Sequence, residues 1–120
     1  MNKRQLEINR KNNFDLLDNS YNIKTNRLKF NVRENDSTLK HELAKFLLAY
    51  ELQQNKKKYV CEAIFKNGKR ADLFILDTGE AYEVVKSETK ESMKNKEEDY
   101  PVPITFFNAQ DVINHWKKHF

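Results

Sequence analysis

Apolar residues recur along this chain with two different periods, and each period predicts a different kind of element. Between positions 39 and 54 they stand three or four residues apart, which is typical of one face of an amphipathic helix. Asp36, Ser37 and Thr38, residue types that cap helix N-termini, come directly before this segment. The side chains that the spacing predicts to be buried are Leu39, Leu43, Phe46, Leu47 and Tyr50.

Short apolar runs bounded by turn residues predict three consecutive strands after this helix. The runs cover residues 59–65, 70–76 and 81–85. Asn67-Gly68 is typical of a tight hairpin turn between the first two strands, and Asp77-Thr78-Gly79 predicts the turn between the second and third. The three strands should therefore form an antiparallel meander.

The remaining chain predicts a helix, a strand and a last helix. A highly charged segment after Ser87 predicts the second helix, residues 104–107 predict a buried strand, and Asn108 is placed to cap the final helix. A helix that connects two strands of one sheet favours parallel pairing, so the fourth strand should lie parallel to a neighbour. The predicted fold class is α/β, with a mixed sheet flanked by helices in the order helix, three-strand meander, helix, strand, helix.

A further alternation of apolar and polar residues predicts a strand before the first core helix. It lies between positions 21 and 33, and Asn26-Arg27 is placed to form the turn of a small hairpin. The chain therefore divides into a basic arm with a β-hairpin, residues 1–37, and an α/β core, residues 38–120.

The excess of positive over negative charge lies in that arm. Residues 1–35 carry eight Lys and Arg against four Asp and Glu, whereas the remainder carries fourteen of each sign, so the net charge of +4 originates here. Basic segments attract nucleic acid without regard to its sequence. A solubilising tail is the alternative explanation of the same charge.

Composition limits the class of protein further. With 120 residues, 38% of them hydrophobic, the chain is long enough for one domain with a modest core. The single cysteine, Cys61, excludes an intramolecular disulfide and a multi-cysteine zinc site, and its apolar surroundings predict a buried thiol. No apolar run reaches membrane-spanning length, and the first residues lack the apolar core of a signal peptide, so we expect a cytoplasmic protein without membrane partners.

Two acidic residues stand on neighbouring predicted strands and are the strongest candidates for chemistry. Asp72 lies between Ala71 and Leu73, although Asp is depleted in strands, and Glu83 lies across the second turn. If the register brings the two together, their like charges repel unless a cation lies between them. Mg²⁺ or Mn²⁺ suits such a pair and promotes phosphodiester hydrolysis. The alternative is that both are ordinary solvent-facing strand residues.

Three further residues are weighed as partners of this pair. Glu42 edges the predicted apolar stripe, so a helix packed on the sheet could aim it at the same point; the alternative is a surface glutamate. Lys86 follows Glu83 closely along the chain. His41 is predicted to be a surface histidine rather than a general base.

The segments LKHELAKFLL, KRADLF and YEVVK resemble the motifs of the PD-(D/E)xK nuclease superfamily, over residues 38–107. They look like its archaeal branch of Holliday-junction-resolvase-like proteins and their viral relatives. The resemblance implies a restriction-endonuclease-like core whose catalytic residues are Glu42, Asp72, Glu83 and Lys86, with the three acids as metal ligands. It also implies a DNA substrate and a homodimer, although the sequence shows no clear apolar interface patch.

The sequence departs from that family at the catalytic lysine. The family places it two residues after the third-strand acid, where this chain has Val85, and by alternation Lys86 points to the other face of the strand. Three explanations remain open. A bulge re-aims Lys86, a helix lysine such as Lys45 or Lys90 replaces it, or the site has lost activity.

The leading hypothesis is a metal-dependent DNA endonuclease, including one for branched or structured DNA. The alternative is a catalytically inactive nucleic-acid-binding module on the same fold, and a third is a small interaction protein that uses its charged second helix. Fold alone does not choose among them. The basic residues expected to contact nucleic-acid phosphates are Arg27, Lys29, Lys56, Lys57, Lys58 and Arg70.

Overall fold

The computed structural model describes residues 2–30, 36–86 and 90–120, without the side chains of residues 36 and 37. It confirms an α/β fold with a mixed sheet. In chain order the elements are α1 (Lys3–Phe14), α2 (Asp36–Gln54), β1 (Tyr59–Ile64), β2 (Arg70–Ile75), β3 (Glu80–Val85), α3 (Lys90–Asp99), β4 (Ile104–Asn108), α4 (Ala109–Trp116) and a short 3₁₀ helix (Lys117–His119). Within the described ranges no helix has the length and apolarity needed to cross a bilayer.

The sheet has the strand order β1-β2-β3-β4, which agrees with the predicted meander and leaves the fourth strand beside the third. β1, β2 and β3 pair antiparallel, and β4 pairs parallel to β3. Turns at Asn67-Gly68 and Asp77-Thr78-Gly79 connect the antiparallel strands at the predicted positions, with both glycines at positive φ. The predicted parallel fourth strand is therefore confirmed.

Each face of the sheet has its own apolar cluster. α2 and α4 cover one face, where Leu47, Leu52 and Val112 pack on Leu73 and Cys61. Cys61 is buried, as its apolar surroundings predicted. The cluster on the opposite face collects the N-terminal segment and the connection between α3 and β4 around β1 and β2, and its buried members are Leu17, Val60, Ala63, Phe65, Ala71, Phe74, Leu76 and Ala81.

The buried side of α2 differs from the one the sequence predicted. Of the predicted stripe only Leu47 is buried, while the other four side chains are exposed: Leu39 64%, Leu43 37%, Phe46 40% and Tyr50 46%. The side that packs on the sheet consists of Ala44, Leu47, Leu48, Ala49 and Leu52. Because α2 is apolar on two sides, the spacing of large residues could not decide between them. The two alanines allow the helix to approach its neighbours closely.

The N-terminal segment forms a helix and a coil rather than a hairpin. The predicted strand is wrong over residues 21–30, and its last positions, 31–33, lie outside the described residues. Asn26 explains the difference, because it adopts a φ of 56° and pairs with the edge of β1 through its side chain. Its Oδ1 accepts from the Tyr59 amide at 3.0 Å, and its Nδ2 donates to the Lys57 carbonyl at 3.1 Å.

Polar side chains attach α1 to the turn between β2 and β3. The Arg10 guanidinium donates to both oxygens of Asp77, at 2.9 and 3.0 Å, and Asn13 Nδ2 donates to the Leu76 carbonyl at 2.7 Å. Gly79 lies beneath Asn13 with a φ of 76°, and a Cβ there would come within 2.8 Å of Asn13 Oδ1. The turn therefore needs glycine for its backbone angle and for the close approach of α1.

Candidate functional site

The sheet separates at Asp72, and this places the two predicted acids together. Backbone pairing between β2 and β3 runs from Ile75 and Glu80 to Leu73 and Tyr82, so Asp72 and Glu83 would be the next pair. Instead of continuing the ladder, Asp72 Oδ2 accepts a hydrogen bond from the Val84 amide at 2.7 Å. A side-chain carboxylate thus takes the place of a backbone acceptor.

The carboxyl groups of Asp72 and Glu83 share a hydrogen bond and hold one proton between them near neutral pH. Burial, together with the hydrogen bond and negative charge of Asp72, raises the pKa of Glu83 to about 8. Burial alone would also raise the pKa of Asp72, but hydrogen bonds from His41, protonated Glu83 and a backbone amide lower it below its ordinary value. Such a pair is typical of two like charges confined at one point.

Tyr100, from the connection between α3 and β4, closes one side of the pair. Its hydroxyl lies 2.7 Å from Glu83 Oε2 and also contacts the Arg70 carbonyl. Burial and the hydrogen bond with Glu83 raise the pKa of the Tyr100 phenol. It therefore remains a neutral hydrogen-bond donor beside the acids.

His41 closes the other side, although the sequence placed it on the surface. Its Nε2 lies 3.2 Å from Asp72 Oδ2, and its Nδ1 lies 3.2 Å from Glu42 Oε1. The hydrogen bond with Asp72, aided by Glu42, raises the pKa of His41 to about 9 despite its partial burial. An imidazolium therefore bridges the helix acid and the strand acid.

Lys45 is fully buried behind this group and neutralises two further acids. Its Nζ lies 2.7 Å from Glu42 Oε2 and 2.8 Å from Glu62 Oε1, and it donates to the Lys29 carbonyl at 2.6 Å. Burial would lower the pKa of Lys45, but the hydrogen bonds with Glu42 and Glu62 outweigh it and raise that pKa. Glu42 is therefore shared between an ammonium and an imidazolium.

At Glu62 the side chains of the strands change from one face of the sheet to the other. Glu62 lies in the middle of β1 opposite Asp72, with a φ of 54° in the left-handed region. By strand alternation Ala71 and Leu73 would share one face of β2, but Leu73 packs beneath α2 while Ala71 belongs to the cluster on the opposite face. Because both strands rotate here, side chains from both faces reach the Asp72 and Glu83 pair.

The structure places Lys45, and not Lys86, within this group of charges. Lys86 is exposed one residue beyond the end of β3, and its carbonyl accepts from Asn108 Nδ2 at 3.0 Å. Lys90 is exposed at the start of α3. Val85 remains the residue at the position where the family has its lysine.

The predicted phosphate-binding residues lie in separate places. Arg70 is next to the acids, since its carbonyl contacts Tyr100, and the backbone of Lys29 meets Lys45. Arg27 is exposed on the coil that covers β1. Lys56, Lys57 and Lys58 precede β1 near Asp77, at the other end of the sheet and roughly 17 Å along the strand from Asp72.

A cleft of about 570 Å³ opens beside Glu83, between α3 and the sheet. Glu83 and Tyr100 line it together with the basic groups of Lys69 and Lys96, and Lys69 Nζ is paired with Asp99 of the same wall at 3.3 Å. The positive charge of Lys96 acts on Glu83 and lowers its pKa, against the larger effects of burial and Asp72. The cleft gives a solvent-borne ligand access to one acid of the pair.

The donor set fits a hard cation with two protein carboxylates. Across the described residues no three His, Cys, Asp or Glu side chains are grouped so as to hold a metal ion. Glu42, the third expected ligand, is instead bound to Lys45 and His41. Mg²⁺ usually retains several waters and is bound through one or two protein carboxylates, which is the number that Asp72 and Glu83 offer.

Four members of the site were not among the expected catalytic residues: His41, Lys45, Glu62 and Tyr100. Lys45 and Glu62 each stand inside an apolar run, AKFLLA and VCEAIF, the same signal that identified Asp72. Lys45 is one of the helix lysines named as a replacement for the family lysine, whereas Glu62 is not among the predicted site residues. The contact made by Tyr100 has no sequence signal, because it depends on how the α3–β4 connection packs.

The arrangement can exchange protons for a cation or hold a proton ready for transfer. Its parts are a carboxyl pair with one proton, an imidazolium, a buried ammonium and a cleft that leads to solvent. These features have to be interpreted from their own geometry. Comparison of the chain with models of protein families, with curated proteins and with solved structures finds no match in any of the three.

Proposed function

We propose that this protein is a metal-dependent endonuclease that acts on DNA, including branched or structured DNA, through a restriction-endonuclease-like core. The observation that carries the proposal is the contact of the Asp72 and Glu83 carboxyl groups where β2 and β3 separate. Two acids brought together in a buried place are costly to ionise, and strongly shifted acids in a cleft are typical of functional sites. The order of helix, meander, helix and strand, with acids on α2, β2 and β3, supports the family resemblance.

The carboxylates of Asp72 and Glu83 would hold Mg²⁺ or Mn²⁺, together with the carbonyl that follows Glu83. When bound, such an ion supplies Lewis acidity and lowers the pKa of a coordinated water. The chain supplies the rest. Lys45 holds the Glu42 carboxylate close to the pair, where it would orient a water, and Tyr100 fixes the Glu83 carboxyl through its hydroxyl.

Basic groups around the cleft would position the DNA backbone. Lys69 and Lys96 stand in its wall, and Arg70 begins the strand that carries Asp72. Such contacts place a nucleic acid without reading its sequence, and they weaken as salt rises. Lys56, Lys57 and Lys58 would join them only on a DNA long enough to reach the far end of the sheet.

The test is cleavage of four-way-junction, flap, single-stranded and linear duplex DNA, with EDTA, Mg²⁺ or Mn²⁺. We expect Mg²⁺- or Mn²⁺-dependent cleavage, lowered on the order of 10²–10³-fold by Asp72→Asn or Glu83→Gln. Glu98→Gln, an exposed acid of α3, is the matched control and should cut like the wild type. Cleavage that persists in Glu83→Gln removes this pair from the mechanism.

A DNA-binding module without catalysis is the second candidate. The position that holds the catalytic lysine in the family supports it, because this chain has no lysine there. Val85 occupies the family position, and Lys45 is fully buried between Glu42 and Glu62. Such a protein would bind the same substrates with a steep salt dependence but leave every strand intact at any metal concentration. Gel-shift and cleavage assays on the same samples separate the two candidates.

A further inference from the structure

The outward side of α2 carries an unusual apolar stripe. Leu39, Leu43, Phe46 and Tyr50 are all exposed, although they lie on one side of the helix over three turns. The buried side of α2, around Ala44, Leu48 and Leu52, is the opposite one. Single exposed apolar residues are ordinary, but a continuous stripe of this length indicates a contact surface.

Aromatic rings from neighbouring elements widen the stripe. Phe46 and Tyr50 stack with their centroids 6.3 Å apart, Phe30 lies 6.5 Å from Phe46, and Trp116 meets Tyr50 edge-on at 5.8 Å. Large, stiff aromatic side chains contribute much contact area for little loss of side-chain entropy, and they are enriched in interfaces. The surface is therefore organised before any partner arrives.

The spacing of the stripe is the same in both directions along the helix. Its residues are four, three and four positions apart, which is also the spacing of a coiled-coil seam. In an antiparallel pair of α2 helices, a two-fold axis between Leu43 and Phe46 would place Leu43 against Phe46 of the second copy, and Leu39 against Tyr50. The stripe is thus complementary to itself, as a two-fold interface requires.

The charges beside the stripe favour the same arrangement. Lys40 and Glu51 are both exposed, and at 100° per residue they lie on the same flank of the stripe, near opposite ends of α2. Antiparallel pairing brings Lys40 to Glu51 of the second copy, twice in each dimer. In a parallel pair the same flank of the second copy would lie on the far side of the interface, so Lys40 and Glu51 would not meet.

We propose that two copies of this chain associate through α2, antiparallel, with the stripe as the centre of a two-fold interface. Glu42 edges the stripe but is buried, as Lys45 is, and the cleft that leads to Glu83 lies between α3 and the sheet, so the acid pair stays accessible. One helix pair covers less than the roughly 800 Å² per partner of a standard interface, so we expect a dissociation constant of about 1–100 µM. The association is independent of whether the acid pair is catalytic.

Sedimentation equilibrium of the whole chain tests the proposal, over concentrations from about 1 to 300 µM. The wild type should pass from monomer to dimer in this range, and Leu43→Glu should remain monomeric throughout. Ile8→Glu, an exposed apolar residue of α1, is the matched control and should dimerise like the wild type. A wild type that stays monomeric at the highest concentration overturns the proposal.

A charge exchange tests the antiparallel arrangement with variants that leave the core untouched. Lys40→Glu and Glu51→Lys should each weaken association about 3–10-fold, and the double variant should recover most of the loss. Circular dichroism of each variant checks the fold. If both single variants weaken association and the double variant does not recover it, the two residues do not meet and the antiparallel pairing is wrong.

Discussion

Two buried acidic sites lie on the same sheet, and they are balanced in opposite ways. At the turn after β2, Asp77 receives two hydrogen bonds from Arg10 and one from the Lys58 amide, so its single charge is fully matched. In the middle of the sheet Asp72 and Glu83 face each other, and the pair retains a proton near neutral pH. Asp72 and Asp77 are buried to a similar extent, but their partners differ.

The difference shows what separates a structural acid from a candidate functional one. Asp77 has a lowered pKa despite burial, because a permanent cation lies against it. Glu83 has a pKa raised to about 8, because it is buried and its neighbour is another carboxyl group. The charge of Asp77 is already neutralised by Arg10. At the Asp72 and Glu83 pair, a cation from solution could replace the shared proton.

The largest effect should come from removing the cation at Asp77. Arg10→Ala leaves a buried carboxylate without its partner, and we expect a loss of about 2–4 kcal/mol in the free energy of unfolding at pH 7. Urea denaturation measures it, with Arg4→Ala, an exposed arginine of the same helix, as control. A loss no larger than that of the control would mean that the amide of Lys58 alone satisfies Asp77.

Removing Glu83 from the carboxyl pair should raise the free energy of unfolding instead of lowering it. The pKa of Glu83 is raised on folding from its ordinary 4.5 to about 8, so its contribution to stability is present below pH 4.5 and is lost as the pH rises through 8. Glu83→Gln cannot ionise, and we expect it to exceed the wild type by about 1–3 kcal/mol at pH 9, with little gain at pH 5.

Adding a metal ion gives a second test of the difference in stability between the wild type and Glu83→Gln. Denaturation in EDTA gives the difference at pH 9, and Mg²⁺ or Mn²⁺ should then stabilise the wild type while leaving Glu83→Gln almost unchanged. If Glu83→Gln is less stable than the wild type at pH 9 without metal, the carboxyl pair is not a source of repulsion.

A smaller change in stability is expected at low pH, where Asp77 becomes protonated. Its folded pKa is depressed, so the stability that it contributes is present above the unfolded pKa and is lost as the pH falls through the folded value. The difference between the wild type and Asp77→Asn should therefore be full at pH 7 and shrink by about 1–2 kcal/mol below pH 3. A difference that is constant with pH would assign the effect to packing.

The smallest effect concerns the wall of the cleft. Lys96 lowers the pKa of Glu83 through its charge, from an exposed position on α3. Lys96→Gln should shift the Glu83 titration slightly upward and leave the free energy of unfolding within about 0.5 kcal/mol of the wild type. Carboxyl carbon NMR follows the titration, and Lys94→Gln is the control on the same helix. A downward shift would contradict the assigned sign.

Local chemistry explains which parts of the fold were predictable. Asn67-Gly68 and Asp77-Thr78-Gly79 indicated two tight turns, and the turns imposed the meander and its register. The crossover helix indicated the parallel fourth strand. The acids on β2 and β3 could be paired from this register alone, because the turn between them is short.

The rest depended on contacts between distant segments. α2 has two apolar sides, and only its packing on the sheet and α4 shows which is buried. The imidazolium of His41 and the hydroxyl of Tyr100 reach the acids from opposite faces, and the rotation of the strands at Glu62 makes this possible. The coil that replaces the predicted hairpin is held by contacts with the edge strand β1 and with Lys45, among them those of the Asn26 side chain.

The left-handed backbone at Glu62 has a consequence for anyone who redesigns this scaffold. A residue with a Cβ held at that angle costs roughly 1–2 kcal/mol, a cost that glycine would largely avoid. Glycine, however, would take away one of the two counter-ions of Lys45, whose ammonium has no route to solvent. Relaxing the backbone and keeping the interior electrically neutral are therefore incompatible aims at position 62, and engineering for heat resistance should begin elsewhere.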